Sequence, residues 1–172
     1  MYKVLINTAI SLSLFFIAAD TAKAQVQKPG ITLGGYLIGA KPKGDFKESY
    51  NFGGGGEVYG GAGLGKTFII ATAGVTAFKP QSGTHSGTLT YVPVKIGVKH
   101  YVFRKLLFIN ADLGRAAVKN KNFNESRFTR GFGLGAKLLG LQAALYYDGW
   151  KNVHAAGFSN SVNIKIGWSI SL

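Results

Sequence analysis

Residues 162–172 alternate with a period of two. Val162, Ile164, Ile166, Trp168, Ile170 and Leu172 are apolar, and Asn163, Lys165, Gly167, Ser169 and Ser171 stand between them. Successive side chains of a strand point to opposite faces, so this stretch predicts a strand with one apolar and one polar side. The period recurs in 89–102, where Val92, Val94, Ile96, Val98, His100 and Val102 share one face and Tyr91, Pro93, Lys95, Gly97, Lys99 and Tyr101 the other. In 106–118 it sets Leu107, Ile109, Ala111 and Leu113 against Asn110 and Asp112. In 127–138 it sets Phe128, Phe132, Leu134, Ala136 and Leu138 against Thr129, Gly131, Gly133, Gly135 and Lys137. Segments 31–40, 53–63, 66–79 and 141–150 complete a set of eight, the first two so glycine-rich that their register stays open.

Eight amphipathic strands in series predict an all-β fold, an eight-stranded antiparallel up-and-down barrel. The connections alternate in length. Those near 64–66, 103–105 and 139–140 are tight, and those near 41–52, 80–88, 119–126 and 151–160 are longer and polar. Short periplasmic turns and longer outer loops are the habit of transmembrane barrels whose apolar face meets lipid. On that reading both termini face the periplasm. Trp168, Tyr101, Phe103, Phe68 and Phe108 would form one aromatic girdle, and Phe78, Phe128, Tyr147 and Trp150 the other.

The start of the chain agrees with export. Lys3 precedes an apolar run over 4–19, broken by Asn7, Thr8 and two serines, and Ala22-Lys23-Ala24 offers a small-x-small cleavage site. The run is shorter than the ~20 residues a spanning helix needs. The expected division is therefore a cleaved signal peptide, 1–24, and one barrel domain, 25–172.

Parity also dictates the interior. A two-residue turn at Phe103 and Arg104 would place Lys95 directly opposite Asp112, and one at Leu139-Gly140 places Tyr146 opposite Gly133 and Asp148 opposite Gly131. A large ring over a glycine fills a narrow barrel, because glycine leaves the space. Glu57, Asp112 and Asp148 fall on inward positions, as do Lys95, Lys99, Lys137 and Lys165. Charges so confined are costly unless paired, so these residues are expected to form a luminal ion-pair network. Eight strands enclose just enough room for their own side chains, which favours a closed lumen over an ion path.

Composition narrows the chemistry. The chain has no cysteine, which excludes disulfides and thiolate metal sites. It carries 20 basic and 7 acidic residues, for a net charge of +13; removing residues 1–24 takes Lys3, Lys23 and Asp20, leaving 18 and 6 and a net charge of +12. Residues 60–67, Gly60-Gly61-Ala62-Gly63-Leu64-Gly65-Lys66-Thr67, match the P-loop spacing, but a β-branched strand follows instead of a helix, so no nucleotide is expected. His85, His100 and His154 show no ligand spacing, and neither a metal nor a cofactor is expected. His154 with Ser159 or Ser161 could be drawn as a lipid-hydrolysing site, making an outer-membrane lipid A or phospholipid enzyme the alternative. A secreted lipocalin-like barrel is another; it would need the charged face outside.

Basic residues crowd the outer loops and rim: Lys41, Lys43, Lys47, Lys79, Arg115, Lys119, Lys121, Arg127, Arg130 and Lys151. Lysine and arginine make charge-assisted bonds to phosphate. Arg115, Lys119, Lys121, Arg127, Arg130 and Lys151 are therefore the expected lipopolysaccharide contacts, with Arg115 and Arg130 on the lipid side by parity. Nothing in the sequence forms a nucleic-acid-binding module.

The chain resembles the small outer-membrane β-barrel family of the OmpA/OmpX type over almost all of residues 30–172. The proline-bearing stretch 91–101 is similar to that family's fourth strand. The closing strand, 164–172, is similar to the C-terminal signal read by the barrel-assembly machinery, with Leu172 in place of the usual terminal aromatic. The resemblance implies a monomeric barrel without turnover, located in the outer membrane and serving envelope integrity, adhesion or surface recognition.

Overall fold

The computed structural model describes residues 28–83, 87–103, 105–121, 123–152 and 157–172. The expected signal peptide, His85 and His154 lie outside these residues. Eight strands follow one another, β1 (Pro29–Lys43), β2 (Tyr50–Leu64), β3 (Thr67–Pro80), β4 (Leu89–Phe103), β5 (Leu107–Lys119), β6 (Asn124–Leu138), β7 (Leu141–Lys151) and β8 (Phe158–Ser171). One helical turn, α1 (Phe46–Ser49), sits between β1 and β2. Each strand pairs antiparallel with the next, and β8 returns to β1 to close the barrel. Closure satisfies every strand edge, which an open sheet cannot do.

The alternation read from the sequence becomes inside and outside. Leu37, Ile69, Ile96, Leu113, Phe132, Leu145 and Ile166 stand exposed on the outer wall, while Tyr36, Ile70, Lys95, Asp112, Tyr146 and Lys165 are buried within it. Six of the eight strands run longer than the alternation implied, and β3 and β5 keep the expected length. A strand crosses a bilayer in ~9–11 residues, whereas most of these have 13–15. Most of the surplus lies at the long-loop end. There Lys41, Pro42 and Lys43, expected in a loop, pair with Val162, Ser161 and Asn160.

Three sequence expectations need correction. Lys95 stands opposite Gly114, and Asp112 opposite Gly97. The connection runs from Phe103 to Leu107 with an irregularity at Phe103, so the register moves by two residues and inward parity survives. The proposed girdles are also mixed. Phe68, Phe78, Tyr101, Phe108 and Trp150 are buried inside the barrel, leaving Trp168, Phe103, Phe128 and Tyr147 on the outer wall. Finally, the loop after β1 is not merely polar: α1 turns Phe46 into the mouth of the barrel.

The β6–β7 register places Tyr146 across from Gly133 and Asp148 across from Gly131, joined through the two-residue turn Leu139-Gly140. The segment 60–67, with its P-loop spacing, is the end of β2, a two-residue turn and the start of β3; Gly65 takes the positive φ the turn requires (58°).

Candidate functional site

Two regions concentrate chemistry: the lumen and the outer rim. In the lumen, an aromatic layer at the long-loop end covers a charged middle layer. Phe46 packs edge-on against Phe78 and Trp150, at centroid separations of 5.0 and 4.9 Å, and Tyr91 stacks on Trp150 at 4.8 Å. Rings in these offset and edge-to-face arrangements add attraction beyond their area. A second layer of Tyr36, Tyr59, Phe68, Tyr101 and Phe108 lies at the other end.

Between them, Lys95 on β4 serves two carboxylates. Its Nζ donates to Asp148 Oδ2 on β7 at 3.1 Å and stands 3.1 Å from Asp112 Oδ1 on β5, the latter an ion pair off the hydrogen-bond axis. The Tyr146 hydroxyl donates to the other Asp112 oxygen, and the Gly149 amide donates to Asp148 Oδ1 at 3.0 Å. On the opposite side Lys165 donates to Glu57 Oε1 at 2.6 Å and lies 3.9 Å over the Tyr146 ring. Lys99 stands apart from the carboxylates. It donates to Gln142 Oε1 at 2.5 Å and to the Tyr59 hydroxyl at 3.2 Å, with the Phe108 ring 4.0 Å beneath it. A ring face attracts a cation most strongly where water is excluded.

Among the described residues the buried layer therefore sets Lys95, Lys99 and Lys165 against Glu57, Asp112 and Asp148, with no net charge. Lys137 is not brought into the cluster; it reaches Ser171 Oγ at 2.9 Å at the lower rim. Sequence reading passed over Tyr36, Tyr59 and Gln142, which link Lys99 to the wall: Tyr36 donates to Gln142 at 2.8 Å, and Gln142 donates to Tyr59 at 2.7 Å. Their inward parity was available as a signal, but a neutral side chain announces no partner.

At the outer rim, Arg115, Lys119, Lys121, Arg130 and Lys151 are exposed. Arg127 differs: it lies on the mouth-facing side of β6 and is held by Glu125 at 2.7 Å. Arg115 stands opposite Phe128, and Arg130 opposite Leu113 and Gly149, so the two arginines are diagonal neighbours on β5 and β6. Lys151, opposite Phe158, joins them on the same wall, and the Arg130 guanidinium lies 4.0 Å over the Phe158 ring.

No protein-family model matches this sequence, and no curated protein matches it either. The fold has solved counterparts. The N-terminal β-barrel domain of OprF from Pseudomonas aeruginosa superposes with a TM-score of 0.53 at 12% identity, covering 81% of this chain and 97% of that one. Ail, the attachment invasion locus protein of Yersinia pestis, solved with the heparin analogue sucrose octasulfate, gives a TM-score of 0.50 at 15% identity, covering 86% and 100%. At these identities the likeness is one of fold. The architecture is that of the small eight-stranded outer-membrane β-barrels.

Proposed function

We propose that this chain is an integral outer-membrane barrel with a closed lumen and no turnover, serving envelope structure or surface interaction through its basic outer rim. One observation carries the reading: an apolar wall surrounds an interior of paired charges and packed rings. A soluble ligand-binding barrel needs the opposite arrangement, and a contiguous exposed apolar surface of this extent in water would drive association. The apolar wall therefore suits lipid, and the filled lumen suits a plug better than an ion path.

The chain's location, export and assembly follow from the same reading: the signal peptide is removed, and the barrel-assembly machinery inserts a monomer. The rim cations Arg115, Lys119, Lys121, Arg130 and Lys151 then lie level with lipopolysaccharide phosphates, with Arg127 bracing the mouth. The same positive surface makes polyanionic saccharides the class of surface ligand to try first. Membrane fractionation followed by electrophoresis with and without boiling tests the reading. An outer-membrane band whose mobility changes on boiling supports it, and recovery as a soluble protein sinks it.

A further inference from the structure

The cationic wall does not end in a flat surface. The rung Arg130–Gly149–Asn160, on β6, β7 and β8, borders a depression of about 240 Å³ that Phe132 and Tyr147 also line. Those two rings, 5.5 Å apart, also line the groove below, about 630 Å³ and walled almost entirely by apolar atoms. That groove follows the next rung, Val98–Ala111–Phe132–Tyr147–Val162, across five strands. It dips where the small Ala111 stands between larger neighbours.

Two polar features mark the upper depression. No carboxylate pairs with Arg130 among the described residues, and Asn160 Oδ1 is buried without a hydrogen-bond partner among them. A guanidinium and an unsatisfied acceptor lining one depression call for a ligand carrying both an anion and an N–H or O–H donor. An apolar groove continuous with that pair calls for an acyl chain on the same ligand. Charge complementarity, with Arg115 and Lys151 flanking, favours more than one phosphate.

We infer that the β4–β8 wall is a docking site for one lipid A moiety: a phosphate on Arg130, an amide or hydroxyl donor on Asn160, and an acyl chain lying past Phe132 and Tyr147 over Ala111. The inference rests on the outer-membrane reading and deepens it, turning a diffuse basic rim into a single site with a headgroup end and a chain end. A glycerophospholipid offers a phosphate too, but its single charge leaves the flanking cations unanswered.

The test is native mass spectrometry of the full chain in detergent micelles titrated with purified lipid A, with phosphatidylglycerol as the comparison. Each variant is first checked for the folded, unboiled gel band. One lipid A should bind per barrel, and Arg130→Ala and Ala111→Trp should each weaken it about tenfold or more, the scale of one lost charge-assisted contact or one blocked chain. Lys79→Ala, on β3 and outside the five strands that line the groove, should bind as the parent does. If Ala111→Trp fails to fold, Leu134→Trp narrows the same groove. Parent-like binding by the folded groove variant overturns the docking site, while loss in Arg115→Ala/Lys151→Ala still supports the rim reading. Undiminished binding in both overturns the two together. Equal binding of phosphatidylglycerol overturns the lipid A assignment.

Discussion

Glu57 on β2 and Lys165 on β8 meet across the intervening β1, with Oε1 and Nζ 2.6 Å apart and both side chains almost wholly removed from solvent. The contact ties two strands that share no ladder. Its second support is aromatic, since Lys165 also lies 3.9 Å over Tyr146 of β7. Removing one partner leaves a buried charge uncompensated, which costs about 3–5 kcal/mol, whereas removing both is far milder. Lys165→Met should therefore destabilise the barrel by that amount. Adding Glu57→Gln should recover most of it. Urea unfolding in lipid vesicles, followed by tryptophan fluorescence, measures the cycle, and additive effects would show that the pair is not coupled.

Lys95 is the more exposed point of failure, because Asp112 and Asp148 both depend on it. Lys95→Met strands two carboxylates at once. Asp148→Asn leaves the lysine its contact with Asp112 and keeps an amide oxygen for the Gly149 amide. The expected order is a loss of at least about 3–5 kcal/mol for Lys95→Met and about 1–3 kcal/mol for Asp148→Asn. The same unfolding assay ranks them, and the reverse order would count against a shared cation.

What the sequence revealed was parity, and what it hid was depth. Period two sorted Lys95, Asp112, Asp148 and Lys165 to the inside because a strand has only two faces. The two-residue slip at Lys95 and Asp112 arose because residues 103–106 contain no glycine, asparagine or proline to announce the turn's length. Tyr101 stands at girdle height on its strand, yet its parity points inward and it is buried; burial follows the face, not the height. Phe46 was illegible for another reason. Its polar neighbours Asp45, Lys47 and Glu48 describe a loop, and only closure of the barrel creates the mouth it fills.

Phe46 plugs that mouth against Tyr50, Phe78 and Trp150. Truncation of a buried phenylalanine costs about 3–5 kcal/mol. Phe46→Ala should also admit water to the Trp150 ring, which is 2% exposed with the plug in place. In a Trp168→Phe background, where emission reports Trp150 alone, the expected result is a red shift and faster acrylamide quenching. Unchanged emission would mean that Trp150 is shielded without Phe46.

Gly133 tests ring-over-glycine packing. A Cβ built there would overlap the Tyr146 ring and come 2.6 Å from the Leu145 carbonyl oxygen. Gly133→Ala should cost about 1–3 kcal/mol by overpacking. In a Tyr146→Ala background the further cost of Gly133→Ala, read by urea unfolding, should shrink without vanishing, because the backbone contact remains. No cost in that background would show that the ring alone forbids a side chain at this position.

The β6–β7 turn makes the last prediction, and its sign is opposite to the others. Leu139 and Gly140 both hold positive φ, 50° and 92°, between the paired Leu138 and Leu141. Two positive φ values in a two-residue hairpin suit the right-handed twist of the flanking strands, and asparagine followed by glycine is the preferred filling. A leucine in the left-handed region brings its Cβ too close to the following carbonyl, at about 1–2 kcal/mol. Here the side chain is 93% exposed, so it recovers little by packing. Leu139→Asn keeps the turn and relieves the strain, and should raise unfolding free energy by about 0.5–1 kcal/mol. Gly140→Ala should do the reverse, since its Cβ would meet Trp168 Nε1 at 2.5 Å. Both are read as shifts in the urea midpoint at constant slope, and a midpoint for Leu139→Asn at or below the parent's would show that the leucine is not strained.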